Sequence, residues 1–76
     1  MQDSTKNEIL RIFGGNLRSA RKASNLSQEE LADKCGLDKS YIGSVERGER
    51  NVTLFNIFRI SQSIGLSSSK LLEGID

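Results

Sequence analysis

Between Gln28 and Arg47 the chain reads QEELADKCGLDKSYIGSVER, and this segment constrains the fold more than any other. Ala32 is small where one helix must let a second approach. Gly36 follows where the chain must turn sharply, with a positive φ that glycine enters without strain. Ile42 and Val45 then stand three apart and share the inward face of the next helix. Two short helices crossing over a glycine turn satisfy these positions together, and that unit is a helix-turn-helix.

The remainder of the chain is read as one domain built around this unit. Its 76 residues make a single core, near the size at which a domain needs a staple or a partner. With one cysteine and no histidine, neither a disulfide nor a metal is expected as the staple, so oligomerisation is the expected supplement. No proline interrupts the chain, and Leu, Ile, Val and Phe suffice for a core, so an all-α domain is expected. It should span residues 1–76, with 1–6 flexible, the helix-turn-helix at 28–47, and C-terminal helices with a dimer contact in 52–76. Met1–Glu8 is polar and no apolar run approaches a membrane span. Neither a secretory signal nor a membrane partner is expected, and the expected location is the cytoplasm. The lone Cys35 suits a reducing compartment and is read as a small buried hydrophobe.

Periodicity predicts five helices. Ile9, Phe13, Leu17 and Ala20 form an amphipathic stripe over about Asn7 to Ala23, in which Gly14 and Gly15 point to a bend or a close helix contact. Ser27 and Glu30 form the S-x-x-E capping box that opens a second helix running to Cys35. Asp38 is the N-cap of the third helix, which ends at Gly48. Asn51 or Thr53 caps the fourth, whose core-facing residues are read as Leu54, Ile57, Phe58 and Ile64. A short fifth helix covers about Ser68 to Leu72.

A net charge of +1 argues for no particular partner, but its distribution is uneven. From Ile9 to Gln28 there is no acid, while Arg11, Arg18, Arg21 and Lys22 occur; Lys39, Arg47 and Arg50 follow the glycine turn. The acids gather at Glu29, Glu30 and Asp33. One basic face on a nearly neutral molecule is enough to attract phosphates, although solvated helix faces account for any single charge equally well.

Leu17-Arg18, Arg21, Leu26-Ser27-Gln28-Glu29, Leu31-Ala32, Gly36, Tyr41-Ile42 and Val45-Glu46-Arg47-Gly48 resemble the Cro/CI type of helix-turn-helix domain, the Xre family. The resemblance runs from about Phe13 to Leu72 and implies a five-helix lambda-repressor-like DNA-binding fold. Asp38-Lys39-Ser40-Tyr41-Ile42 with Glu46-Arg47-Gly48-Glu49-Arg50-Asn51 is similar, more narrowly, to the controller proteins of restriction-modification systems. These are small dimers that activate and repress transcription at their own operon. Gly15 departs from the family pattern and bears on the straightness of the first helix.

The resemblance makes the third helix the recognition helix, with Lys39 and Ser40 at its start and Ser44 one turn on, directed at base edges in the major groove. Tyr41 either packs beside the helix pair or adds a base or phosphate contact through its hydroxyl. Gln28, with Ser27 and the main-chain N–H groups around it, is expected to clamp a phosphate at a helix N-terminus. Arg18, Arg47, Arg50 and Asn51 are further backbone contacts, the arginines being open also to solvated or salt-bridged roles. In the family the positions of Arg21 and Glu46 form an ion pair, and the resemblance implies the same structural pair here.

One recognition helix reads only a few base pairs, so a homodimer on a palindrome is expected. Phe55, Ile60, Leu72 and Ile75 are assigned to the dimer contact, whereas Phe58, Leu66 and Leu71 are assigned to the monomer core. Spacing supports no catalytic constellation, and no enzyme activity, cofactor, metal or small-molecule ligand is expected. Two classes of function remain: a DNA-binding regulator, nucleoid-associated and with RNA polymerase as a further partner, whether of controller or phage-repressor type, or an antitoxin-like module whose main partner is a protein. Polar and basic residues at 28, 39, 40 and 44 separate the two, because a purely protein-binding module has no need of them.

Overall fold

The computed structural model describes residues 3–76, which form helices α1 (Asp3–Ala23), α2 (Gln28–Cys35), α3 (Lys39–Glu46), α4 (Leu54–Ser63) and α5 (Ser68–Leu71). The all-α, five-helix expectation holds. α1 starts at Asp3 rather than Asn7, so residues 3–6, expected to be flexible, are helical; Met1 and Gln2, part of the same expectation, lie outside the described residues. Extending a helix that is already packed needs no new nucleus, so weak periodicity does not stop it.

Every helix contributes to one core. Phe13 and Leu17 come from α1, Leu31, Ala32 and Cys35 from α2, Ile42 and Val45 from α3, Ile60 from α4 and Leu71 from α5. Asn16 fastens α5 to α1 by donating through Nδ2 to the carbonyls of Leu71 at 2.9 Å and Glu73 at 2.7 Å. Gly14 supplies the close helix contact that the sequence pointed to. A Cβ at this position would press on the Val45 carbonyl oxygen and lie 2.7 Å from that of Glu46, so α1 meets the end of α3 backbone to backbone. A Cβ at Gly15 would meet nothing within 4 Å.

The turn at Gly36 is the hinge of the helix pair. Its φ of 69° and ψ of 32° are left-handed, and the Leu37 N–H reaches back 2.9 Å to the Ala32 carbonyl to close the end of α2. The Ser27–Glu30 capping box is complete. The Glu30 N–H donates to Ser27 Oγ at 3.0 Å, and the Ser27 N–H donates to Glu30 Oε1 at 2.8 Å. Asp38 occupies the N-cap of α3 with extended backbone, although its carboxylate makes no capping bond. Thr53, not Asn51, caps α4, its Oγ1 accepting from the Asn56 N–H at 3.1 Å.

α4 corrects the expected core stripe. Its inward residues are Ile57, Ile60, Ser61 and Ile64, whereas Leu54 is 79% and Phe58 52% exposed. Ile60, assigned to the dimer contact, is wholly buried in the core of its own chain, and Phe58, assigned to that core, is not. Ser61 hides the true spacing because it looks like a surface residue. Its hydroxyl is buried at no cost in lost bonds, hydrogen-bonding the Phe58 carbonyl at 2.9 Å and Ser68 Oγ at 3.0 Å. Leu66 and Leu71 pack on or in the core as assigned.

Candidate nucleic-acid interface

The capping box holds the N-terminus of α2 in a fixed direction, and Gln28 is its first helical residue. Gln28 is half-buried, and its Nε2 donates to Glu46 Oε1 at 3.2 Å. Glu46 is therefore shared. Its Oε2 accepts from Arg21 Nε at 2.6 Å and its Oε1 from Arg21 Nη2 at 3.0 Å, a forked pair whose side chains are 10% and 3% exposed for Arg21 and Glu46. Arg21 Nη1 also donates to the Leu26 carbonyl at 2.8 Å, which fastens the loop before α2. Hydrogen bonding to Glu46 outweighs burial and holds the Arg21 guanidinium above its ordinary pKa. One buried carboxylate thus joins α1, the start of α2 and the end of α3.

On α3, Lys39 and Ser40 are exposed in the first turn. Ser44 is not exposed as expected: it is 6% exposed, donates through Oγ to the Tyr41 carbonyl at 2.7 Å and accepts from Arg50 Nε at 3.1 Å. A serine inside a helix can return its hydroxyl to the preceding turn, and here that bond turns it away from the outward face. Tyr41 is half-buried, its hydroxyl accepting from Asn56 Nδ2 at 3.2 Å, with the Arg50 guanidinium 5.7 Å from its ring centroid. Its ring packs and its hydroxyl is engaged within the chain.

The remaining backbone-contact candidates differ in freedom. Arg47 forms a fork with Glu49 at 3.0 and 3.1 Å, both side chains more than half exposed, and the pairing raises the pKa of Arg47 and lowers that of Glu49. Such an exposed pair is weak and yields readily to a phosphate. Arg18 is exposed on α1 and Asn51 is exposed between α3 and α4, both outside the bonded network. Ser27 is exposed, but its hydroxyl serves the cap.

Gly43 was missed by the sequence reading. It stands between Ser40 and Arg47 on α3, buried beneath neighbouring side chains, and a Cβ there would come within 3.2 Å of Arg47 Nη1 and 3.4 Å of Gln28 Oε1. The missing side chain lets Gln28 of α2 and Arg47 of α3 draw together over bare backbone. A lone glycine inside a helical pattern was the available signal.

Comparisons with known proteins identify the family. The Helix-turn-helix family profile matches residues 17–71. The control protein C.SmaI of Serratia marcescens is 49% identical over 65 residues, covering 86% of this chain and 77% of that one. C.BamHI of Bacillus amyloliquefaciens is 46% identical over 68 residues, covering 88% and 84%. The crystal structure of the restriction-modification controller protein C.AhdI from Aeromonas hydrophila superposes with a TM-score of 0.80 at 48% identity, covering 82% of this chain and 94% of that one. The lambda-repressor-like fold, the cap, the glycine turn and the shared Glu46 occur together in a chain that belongs to the helix-turn-helix family of DNA-binding transcription regulators, among the controller proteins of restriction-modification systems.

Proposed function

We propose that the protein acts as a homodimer on a palindromic operator near its own reading frame, where it both activates and represses. Lys39 and Ser40 read base edges, while Gln28 and the N-terminus of α2 receive a phosphate of the same half-site. The observation that carries this reading is the contrast along α3. Lys39 and Ser40 stand exposed at its start, whereas Tyr41, Ser44 and Glu46 spend their polar atoms inside the chain. Arg18 on α1, Arg47 at the C-terminal end of α3, and Arg50 and Asn51 beyond it serve as backbone contacts, and Arg47 exchanges Glu49 for phosphate on binding. Tyr41 and Ser44 support the helix rather than reading bases. Phe55 at 66% and Leu72 at 37% exposure, with half-buried Ile75, meet the second copy, joined by Leu54 and Phe58. Glu29, Glu30 and Asp33, all exposed on α2, offer RNA polymerase an acidic surface.

Footprinting on DNA upstream of the reading frame tests this function. A two-fold symmetric protected site is expected, lost or redirected by Lys39→Ala. Affinity should fall steeply with salt, since each neutralised phosphate releases counterions. Salt-insensitive or absent DNA binding would favour a protein partner instead.

A further inference from the structure

α4 touches the helix pair through polar side chains as well as through its core residues. Arg59 Nη2 donates to the Cys35 carbonyl at 2.8 Å and the Gly36 carbonyl at 3.1 Å, closing over the turn itself. Asn56, one turn earlier, donates to the Tyr41 hydroxyl at 3.2 Å in the first turn of α3. α4 therefore holds the helix-turn-helix on both sides of Gly36. The same helix carries Phe55, whose ring centroid is 5.4 Å from the Arg59 guanidinium and whose outer surface is free. The Gly36 carbonyl is exposed and loses little by bonding water instead, the Cys35 carbonyl is partly buried, and holding a long arginine in one conformation has an entropic cost. Together the Arg59 bonds to the end of α2 and its turn and the Asn56 bond to Tyr41 tie α4 to both helices of the pair.

We propose that Arg59, assisted by Asn56, is a positioning residue that sets which half-site spacing the dimer accepts. The inference rests on the dimer reading above, in which α4 faces the second copy. One base pair inserted between half-sites moves the second by about 3.4 Å and turns it by about 34°, so a rigid link between two-fold axis and α3 rejects it and a loose one tolerates it.

The test measures binding of the full chain and of Arg59→Met, Arg59→Lys and Asn56→Ala to palindromes of the footprinted spacing and of one base pair more or less. Wild type should prefer one spacing by about tenfold or more, the scale of one mismatched base pair. Arg59→Met should reduce that preference to about threefold, with the dimer dissociation constant from sedimentation unchanged, and Arg59→Lys should lie between. A folded, dimeric Arg59→Met that keeps the full preference overturns the proposal and leaves Arg59 a cap. If Arg59→Met melts too low to assay, Asn56→Ala decides by the same criterion. Failure of the dimer reading is visible separately, as a wild-type protein with no two-fold site, and takes the inference with it.

Discussion

α1 to α3 and α4 to α5 are both helical and share one core, yet they treat their side chains differently. In the first region polar groups turn inward and find partners: Glu46 serves Arg21 and Gln28, and Ser44 serves Tyr41 and Arg50. In the second, large apolar groups turn outward, with Leu54, Phe55 and Phe58 each more than half exposed. Buried polar networks specify one arrangement because each unmade bond is costly, whereas an exposed apolar face leaves its own geometry to whatever covers it. The helix pair is thus complete within one chain, whereas α4 presents an exposed apolar face.

The largest expected effect breaks the first region. Glu46→Ala strands Arg21 and removes the acceptor of Gln28, so it should destabilise the fold by about 3–5 kcal/mol. That corresponds to a melting midpoint lower by more than about 10 °C for a domain of this size. An unchanged midpoint in thermal denaturation would show that the pair is not the junction described. Because Gln28 loses its tether, operator affinity measured well below the new midpoint should also fall, while the sequence preference proposed to come from Lys39 and Ser40 should stay unchanged.

Ile60→Ala and Phe55→Ala test the division of α4 directly. Ile60 is fully buried, and its truncation should cost about 2–5 kcal/mol. Phe55→Ala should leave the melting of the monomer close to wild type and instead raise the dimer dissociation constant in sedimentation. Equal losses of stability in the two variants would erase the distinction between inner and outer faces.

The two regions also differed in how much the sequence disclosed. Ala32, Gly36, Ile42 and Val45 act through size and backbone conformation, so their identity states their role, and the Ser27–Glu30 box states its own. On α4 the burial pattern depends on which turn of the helix meets α2 and α5, and no residue type reports that. Phe58 looks like core and Ser61 like surface, but packing reverses them. Ser44 misled for the same reason, since a hydroxyl is equally at home in water or on a carbonyl one turn back. Local spacing does not separate Gly14 from Gly15; the family pattern marks only Gly15 as unusual, and the structure shows what each one meets. Gly14→Ala forces apart α1 and α3 and should cost about 1–3 kcal/mol, whereas Gly15→Ala has open space and should stabilise by about 1 kcal/mol through helix propensity. Thermal midpoints moving in the same direction would contradict the close approach at Gly14.

The smallest expected effect concerns the cap that orients α2. Bonds from the Ser27 backbone, and then from its hydroxyl partnership, hold the Glu30 carboxyl below its ordinary pKa of 4.5. A folded-state value lowered in this way adds stability that is present above the ordinary value and is lost as pH falls through the lowered one. Glu30→Ala should therefore melt slightly below wild type at neutral pH, and the gap should narrow as the solution is made more acidic than the ordinary carboxylate range. A gap of constant size from neutral to acid would mean that the box orients Gln28 by geometry alone, with no contribution from charge at the N-terminus of α2. Operator affinity would then be equally insensitive to titration of Glu30.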